Sequence, residues 1–205
     1  MSAFKKVSVV GSGLAAILYC TPAIAESCDY QSIESKPGQE WNEAYGWRYD
    51  TSQAANKEER FEENLKNREE AYTKLVKGQS PWPDWFEEND TISLLPVGTL
   101  FQMAMAEGQK DEQLGGFGTF DEIHSVSEVR EDLAVLQAWK ADVNRVNRYR
   151  VVEVLPVRIG PIGPQIDPDG CKMLPGRFSQ FQMLVAPATR SHYVQFVSSH
   201  PIEQD

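Results

Sequence analysis

The stretch from Tyr149 to Phe181 constrains the fold most, because it combines β-type apolar residues with many glycines and prolines. Its first residues, YRVVEVLPV, favour strands, whereas the glycines and prolines that follow interrupt regular elements and favour turns. The stretch ends on a short motif, Pro175-Gly176-Arg177-Phe178-Ser179-Gln180-Phe181. We therefore predict a strand-turn-strand unit over this part of the chain.

The first 25 residues have the pattern of a secretory signal peptide. Lys5 and Lys6 precede an apolar run from Val7 to Leu18, and Ala23-Ile24-Ala25 matches a cleavage site. The apolar run is short and contains Gly and Ser, unlike a membrane-spanning helix. No later segment is apolar enough to span a membrane. The sequence thus predicts that residues 1–25 are removed and that the protein is secreted, either outside the cell or into a periplasm.

The charge balance is strongly acidic, with 20 basic and 30 acidic side chains and a formal net charge of −10. Loss of Lys5 and Lys6 with the signal peptide makes that charge about −12. Such a surface repels phosphate backbones and anionic lipid, which argues against general nucleic-acid binding. A small anionic substrate would need positive charge supplied locally in its site.

Cysteine usage fits an exported protein. Cys20 leaves with the signal peptide, and Cys28 and Cys171 remain as a pair. In an oxidising compartment such a pair favours a disulfide, here closing a loop of roughly 140 residues, worth about 4–5 kcal/mol in the chain-entropy model. A metal site or a nucleophilic thiol is the alternative, but it lacks nearby histidines. We therefore predict the disulfide.

Composition and periodicity divide the chain into four segments. These are the signal peptide (1–25), an N-terminal helical layer with a connector (26–91), a β-rich domain (92–200) and a frayed tail (201–205). The connector carries an N-glycosylation acceptor at Asn89. The predicted fold class is α+β, with a small antiparallel sheet or barrel-like core, flanking helices and the N-terminal helical layer.

Apolar spacing predicts two main helices. The first runs from about Ala54 to Lys77 and buries one face, consisting of Phe61, Leu65, Tyr72, Leu75 and Val76. The second follows the capping-box signature Ser125-x-x-Glu128 and runs from about Ser127 to Asn147. Its predicted buried stripe consists of Val129, Leu133, Leu136, Val143 and Val146. Strands are predicted at about 91–101 (with a turn), 148–157, 179–185 and 192–197.

Common catalytic and metal motifs are missing from the sequence. It contains no H-E-x-x-H, and its three histidines, His124, His192 and His200, are scattered. Acidic residues are so frequent that a pair of carboxylates at any spacing carries no information. We therefore predict no metal site, and the remaining signal is the order of several short motifs.

Those motifs lie between residues 94 and 185. The segment Leu95–Leu100 (LPVGTL) precedes the run GGFGTF, and YRV and LPVRIGPIGP precede the closing Pro175–Phe181 motif. In this order they resemble the NAD glycohydrolase domain of the tuberculosis necrotizing toxin and the related secreted fungal NADases. The resemblance implies that residues 92–200 form a secreted toxin or effector domain. It would hydrolyse NAD or NADP to nicotinamide and ADP-ribose, with the dinucleotide as substrate and no cofactor.

The resemblance also assigns site residues. The family's catalytic glutamine falls on Gln180, and its nicotinamide-side aromatic falls on Phe117 or Phe120. The family's substrate-binding arginine has no counterpart, because Met103 occupies its position. Chemically, a glutamine can hold ribose hydroxyls or the attacking water, since its amide both donates and accepts hydrogen bonds.

A pyrophosphate still requires a local cation. Arg148, Arg158 and Arg177 lie within or beside the 149–181 stretch and are candidates to replace the missing arginine, although each can equally be a surface arginine paired with a carboxylate. Two further functions stay open. The missing arginine favours a catalytically silent secreted effector or binding protein of the same fold. Protein ADP-ribosyl transfer is disfavoured, because Gln182 stands where such transferases usually have glutamate. If the producer is bacterial, the resemblance implies an immunity protein as partner.

Overall fold

The structure, a computed structural model, describes residues 28–79 and 92–204. These residues form an α+β fold, as predicted, with helices placed beside antiparallel sheets. The sheets are open, and no closed barrel is found in this part of the chain. The predicted signal peptide (1–25) and the predicted glycosylation site at Asn89 lie outside the described residues.

The helical elements within these ranges are α1 (Lys36–Tyr45), α2 (Lys57–Gly78), α3 (Val126–Glu131) and α4 (Arg190–Tyr193), with 3-10 turns at Gly46–Tyr49 and Pro187–Thr189. The strands are β1 (Ile92–Leu95), β2 (Leu100–Ala106), β3 (Phe117–Gly118), β4 (Val143–Val151), β5 (Leu155–Pro161), β6 (Gln165–Asp167), β7 (Lys172–Leu174), β8 (Ser179–Met183) and β9 (Val194–Pro201). None of the described helices is both long and apolar enough to cross a bilayer.

The strands are arranged in three sheets. The first has the order β1-β5-β8-β3, the second has the order β2-β4-β9, and β6 and β7 pair as a hairpin. Gln102 and Thr119 form an isolated bridge that links β2 to the residue after β3. The predicted strand-turn-strand at 91–101 is confirmed, and its two strands enter different sheets. The predicted strand at 148–157 proves to be two strands, β4 and β5.

Aromatic side chains fill the main core between the two larger sheets. Phe101 stacks on Tyr149 with ring centroids 5.6 Å apart, and it meets the edge of Phe181 at 5.1 Å. All three rings are at most 2% exposed. Full burial of such a ring stabilises a fold by roughly 1.5–3 kcal/mol, and aromatic pairing adds to that value. The rings therefore fix β8 against β2 and β4.

The N-terminal helical layer is confirmed and has its own core. Asn56 caps α2 by accepting hydrogen bonds from the backbone N–H groups of Glu58 and Glu59. Trp41 of α1 and Tyr72 of α2 are fully buried, with ring centroids 5.4 Å apart. The predicted buried face is wrong at Phe61, which is 69% exposed because it lies on the first turns of α2, before the helix reaches this core.

A disulfide joins the N-terminal layer to the β6–β7 hairpin. Cys28 and Cys171 are bonded, with Cα atoms 5.5 Å apart, which confirms the predicted pair. Ile166 of β6 belongs to the same apolar cluster as Trp41 and Tyr72. The bond therefore fastens a contact that apolar packing already forms. Within the described residues, no group of three His, Cys, Asp or Glu is placed to hold a metal ion.

The helix predicted for residues 127–147 is wrong beyond its first turns. Its capping box is confirmed, since Ser125 and Glu128 cap each other's backbone N–H groups. However, α3 ends at Glu131, and Val143 and Val146 lie on β4. The carbonyls of Glu131 and Asp132 accept hydrogen bonds from the backbone of residues 176–178 instead of from the next helical turn. All five residues of the predicted stripe are nevertheless buried.

The end of the chain is not frayed as predicted. Strand β9 continues through Pro201, and Ile202 is buried among the side chains around α3. The backbone of Glu203 bonds to His124 and Val126, which adds a parallel bridge to that segment. Residues 201–204 are therefore part of the packed domain.

Candidate functional site

A cavity of about 450 Å³ is bordered by β2, β3 and β8 and by the segment that follows α3. Its lining is mostly apolar, with a glycine-rich loop along one side. The side chains and backbone that form it include Gln102, Met103, Gly115, Gly116, Phe117, Gly118, Thr119, Ile123, Leu133, Trp139, Lys140 and Gln180. A cavity of this size lies within the range that holds small molecules and nucleotides.

Gln180 is buried in this cavity. It lies on β8 opposite Gly160 of β5, and its side chain is only 6% exposed. Neighbouring strand residues face opposite sides of a sheet, so Phe181 enters the core while Gln180 faces the cavity. Its Oε1 atom has no hydrogen-bond partner among the described residues. An unpaired buried carbonyl costs about 1–3 kcal/mol, and a ligand that donates a hydrogen bond would recover this energy.

Gln102 contributes a second buried amide from the other sheet. It lies on β2 and is 7% exposed. Its Oε1 accepts a hydrogen bond from the backbone N–H of Ile123 at 3.1 Å. Its backbone exchanges two hydrogen bonds with Thr119, at 2.8 and 3.0 Å. The sequence motifs assign Gln102 no role. The one sequence feature that indicates a site position is that it directly precedes Met103.

The glycine-rich loop approaches the sheets closely because its residues lack side chains. A Cβ atom on Gly118 would lie 2.6 Å from the Phe181 ring and 2.8 Å from the Phe101 ring. The carbonyl of Gly116 accepts a hydrogen bond from the N–H of Met183 at 2.8 Å. These contacts hold the loop against β8, with Phe117 36% exposed at the cavity wall.

Asp121 ties the loop to the start of β8. Its Oδ2 accepts hydrogen bonds from the backbone N–H and the hydroxyl of Ser179, at 2.7 and 2.5 Å. The hydroxyl of Thr119 donates to the same oxygen at 3.2 Å. One carboxylate oxygen therefore fixes the residue that precedes Gln180 and a residue that lines the cavity.

The Pro175-Gly176 turn of the closing motif is held from two sides. Gly176 has a φ of +64°, and its N–H donates to the carbonyl of Glu131 at 2.8 Å. The hydroxyl of Tyr45 donates to the carbonyl of Pro175 at 2.5 Å. Burial raises the pKa of Tyr45, so this hydroxyl keeps its proton at neutral pH. The N-terminal layer thus supports the turn that leads into β8.

The aromatic candidates separate in the structure. Phe117 lines the cavity, whereas Phe120 stacks on Phe181 with ring centroids 5.1 Å apart and does not line the cavity. Met103 lines the same cavity as Gln180 and is 6% exposed. The position at which the sequence resemblance predicts an arginine, occupied here by Met103, therefore lies in the candidate site.

The three candidate arginines lie outside the cavity lining. Arg177 pairs with Asp132 at 2.5 Å, and this partner raises its pKa. Arg148 is exposed on β4 opposite Gln102. Arg158 lies on β5 opposite Gln182, two residues before Gly160, and so faces the same side of the sheet as Gln180. The structure brings only Arg158 to the sheet face that carries Gln180.

A lysine that sequence reasoning missed lines the cavity instead. Lys140 follows α3, and its Nζ donates to the carbonyl of Ala104 at 2.7 Å and to Oε1 of Gln109 at 3.3 Å. Burial lowers its pKa, and the charges of Arg145 and Arg130 lower it further. No sequence pattern indicates a site role for Lys140, because residues 133–142 form an irregular segment where the apolar spacing predicts a helix.

No model of a known protein family matches the sequence, and no curated protein matches it. A chain in the structure of Tne2 in complex with Tni2 is similar, with 19% identity over 56% of this chain and 93% of that chain and a TM-score of 0.47. A chain in the structure of Rhs1-CT in complex with its cognate immunity protein RhsI1 is similar at 19% identity, covering 55% of this chain and 80% of that chain, with a TM-score of 0.36. At these TM-scores the similarity carries no conclusion about activity or partners.

Proposed function

We propose that this protein is a secreted NAD(P)+ glycohydrolase of the toxin or effector type. The observation that carries the proposal is Gln180, a buried residue of the cavity lining whose side-chain Oε1 has no hydrogen-bond partner among the described residues. Its position at the end of the Pro175–Phe181 motif agrees with the role that the sequence resemblance assigns to it. A substrate that donates a hydrogen bond there satisfies an atom that the fold itself leaves unpaired.

The proposed reaction consumes one water molecule. The bond between the nicotinamide nitrogen and the ribose C1′ breaks, and its electron pair stays with nicotinamide, which leaves as a neutral molecule. Water bonds to C1′ and releases one proton, so the products are nicotinamide, ADP-ribose and H+. Because the leaving group is already cationic in the substrate, orientation and a water-poor site can drive the reaction without a metal or a covalent nucleophile.

The residues take separate roles in this proposal. Oε1 of Gln180 accepts a hydrogen bond from a hydroxyl, either of the substrate ribose or of the attacking water. The ring of Phe117 offers a face to the nicotinamide ring. Gln102, whose Oε1 already accepts a hydrogen bond from the Ile123 backbone, forms part of the cavity wall. The apolar lining limits the water that reaches the reacting carbon.

We also propose that the protein acts after export. The bonded pair Cys28–Cys171 supports this, because disulfides persist in oxidising compartments. If the producer is bacterial, the expected partner of such an enzyme is an immunity protein that blocks the cavity. Its expected effect is loss of nicotinamide release on addition of the purified partner.

A catalytically silent binding protein with the same cavity is the second candidate. The observation that favours it is the lining itself, in which Met103 replaces an arginine and the Lys140 ammonium already bonds to a backbone carbonyl. Such a protein would bind a nucleotide without cleaving it. Protein ADP-ribosyl transfer stays disfavoured, because Gln182 follows Gln180 at two residues.

Product analysis separates these functions. Oxidised protein lacking residues 1–25 is incubated with NAD+ or NADP+ in water enriched in oxygen-18, and the products are identified by mass spectrometry. A glycohydrolase releases nicotinamide and places the heavy oxygen on C1′ of free ADP-ribose. Nicotinamide release with ADP-ribose on protein indicates a transferase, and no release at high protein concentration overturns the proposed hydrolysis.

A further inference from the structure

Lys140 is the one charged residue in the cavity lining among the residues that the structure describes. This is notable on a chain whose formal net charge is −10 and whose other described lining residues are apolar, glycine or uncharged polar. Lys140 is half-buried, and a partly desolvated charge without a carboxylate partner is costly, so a ligand of opposite charge in the cavity would offset this cost.

The surroundings of Lys140 leave its charge available. No carboxylate of the described chain lies within ion-pair distance of its Nζ, which bonds to the carbonyl of Ala104 and to Oε1 of Gln109. An ammonium has three N–H donors, so two bonds leave one donor free. Arg130 and Arg145 lie near enough to lower the pKa of Lys140 by repulsion. This end of the cavity therefore carries local positive charge.

Arg130 and Arg145 are themselves held in place by backbone oxygens. Arg130 donates to the carbonyls of Val135, Lys140 and Ala141. Arg145 donates to the carbonyl of Ala106 at 3.0 Å and lies 3.4 Å from a carboxylate oxygen of Asp111. The Arg130 guanidinium braces the segment that carries Lys140, the Arg145 guanidinium braces the end of β2, and neither arginine lines the cavity.

An aromatic side chain lies beside this charge. Trp139 precedes Lys140, lines the same cavity and is 45% exposed. Exposed aromatic faces stack on nucleobases, and a neighbouring cation can bind a phosphate group of the same nucleotide. The pair therefore has the chemistry of a nucleotide subsite, in the same cavity as Gln180 and Phe117.

We propose that Lys140 and Trp139 form the subsite for the adenine nucleotide part of the substrate, with Lys140 bonded to a phosphate oxygen and Trp139 stacked on the base. This assignment rests on the proposed function, which sets the direction in which the substrate lies along the cavity. It supplies the positive charge that Arg148 and Arg177 do not bring to the lining.

Binding of AMP, which carries the base and a phosphate but no scissile bond, tests this subsite. Calorimetry compares the wild-type oxidised protein with Lys140→Met and Trp139→Ala. Lys66→Met is the matched control, because Lys66 is an exposed residue of α2 that pairs only with Glu70 in the described chain. A lost charged hydrogen bond is expected to weaken AMP binding by about 10- to 100-fold in Lys140→Met. Trp139→Ala should weaken it at least about fivefold.

The expected result is that Lys66→Met binds AMP as the wild type does. If Lys140→Met fails to fold, Lys140→Gln replaces it, since it keeps a donor for the Ala104 carbonyl. The assignment is overturned if the wild type does not bind AMP, or if the Lys140 variant binds it as the wild type does. AMP binding that depends on Lys140, in a protein that releases no nicotinamide, would uphold the subsite and reject hydrolysis. If Lys140→Met releases nicotinamide and binds AMP as the wild type does, hydrolysis is upheld and the subsite is rejected.

Discussion

Gln102 and Gln180 lie on strands of different sheets, β2 and β8, and line one cavity, but only one of the two amide oxygens is paired. Oε1 of Gln102 accepts a hydrogen bond from the Ile123 backbone, whereas Oε1 of Gln180 has no partner among the described residues. The fold therefore uses the amide oxygen of Gln102 in a structural hydrogen bond and leaves the amide oxygen of Gln180 unpaired.

This difference predicts opposite stability changes for the same substitution. Gln180→Met removes an unpaired oxygen and keeps the side-chain volume, so the free energy of unfolding should rise by about 1 kcal/mol. Gln102→Met leaves the buried Ile123 N–H without an acceptor and should lower that free energy by about 1–3 kcal/mol. Urea unfolding of the two variants and the wild type measures both changes. A loss of stability in Gln180→Met equal to that in Gln102→Met would show that Gln180 is also a structural residue.

The disulfide should supply much of the stability of the oxidised protein. Cys28 and Cys171 are 143 residues apart, and closing a loop of this length restricts the unfolded chain by about 4–5 kcal/mol. The double variant Cys28→Ser/Cys171→Ser should therefore melt roughly 10–20 °C below the wild type. Scanning calorimetry with and without a reductant measures the change. The reductant should leave the melting temperature of the double variant unaltered, and an equally unresponsive wild type would contradict the prediction.

The glycine loop should tolerate a methyl group at one position and not at another. A Cβ at Gly118 would meet two buried phenyl rings below 3.0 Å, so Gly118→Ala should cost about 1–3 kcal/mol of stability by overpacking. At Gly116 the nearest atom is the end of the flexible Arg190 side chain at 3.3 Å, so Gly116→Ala should change stability by under about 0.5 kcal/mol. Thermal unfolding of both variants compares them. Equal losses would mean that the loop does not pack on Phe181 and Phe101 as described.

The depressed pKa of Lys140 predicts a pH dependence of stability. Burial and the charges of Arg145 and Arg130 hold its pKa below 10.5 in the folded protein, so between the two pKa values the unfolded chain binds the proton more tightly. Stability therefore rises with pH in that window. The free energy of unfolding of the wild type minus that of Lys140→Met should increase from pH 7 to pH 10.

The same urea measurements at each pH on Lys66→Met provide the control, because Lys66 is exposed. Its difference from the wild type should stay flat over this range. A difference for Lys140→Met that is flat, or that falls with pH, would place the Lys140 ammonium in solvent rather than in the cavity wall.

Sequence patterns predicted the elements that depend on local chemistry. The capping box at Ser125, the cysteine pair and the strand-turn-strand at 91–101 are all confirmed, because each depends on residues close in sequence or on a simple count. The burial of Val143 and Val146 was also predicted correctly. Their element was not, since the spacing of apolar residues alone did not distinguish a continuous helix from a helix followed by a strand.

The missing information was tertiary. Helix α3 ends where the backbone of residues 176–178 takes the carbonyls of Glu131 and Asp132, and these segments are 45 residues apart in sequence. The irregular segment that results carries Trp139 and Lys140 into the cavity. Because the apolar spacing predicts a helix over these residues, it indicates no cavity position for Trp139 or Lys140. Gln180 and Phe117 were predicted as site residues because they belong to short motifs.

The proposed hydrolysis is tested most directly by the rate at which oxidised protein lacking residues 1–25 releases nicotinamide from NAD+. This rate is compared with the rate of the Gln180→Ala variant. The wild type should release nicotinamide, and Gln180→Ala should lower kcat by about 100-fold or more while melting at or above the wild-type temperature. Equal rates in the two proteins, or no release by a folded and oxidised wild type, would contradict the assignment of Gln180 as the catalytic residue.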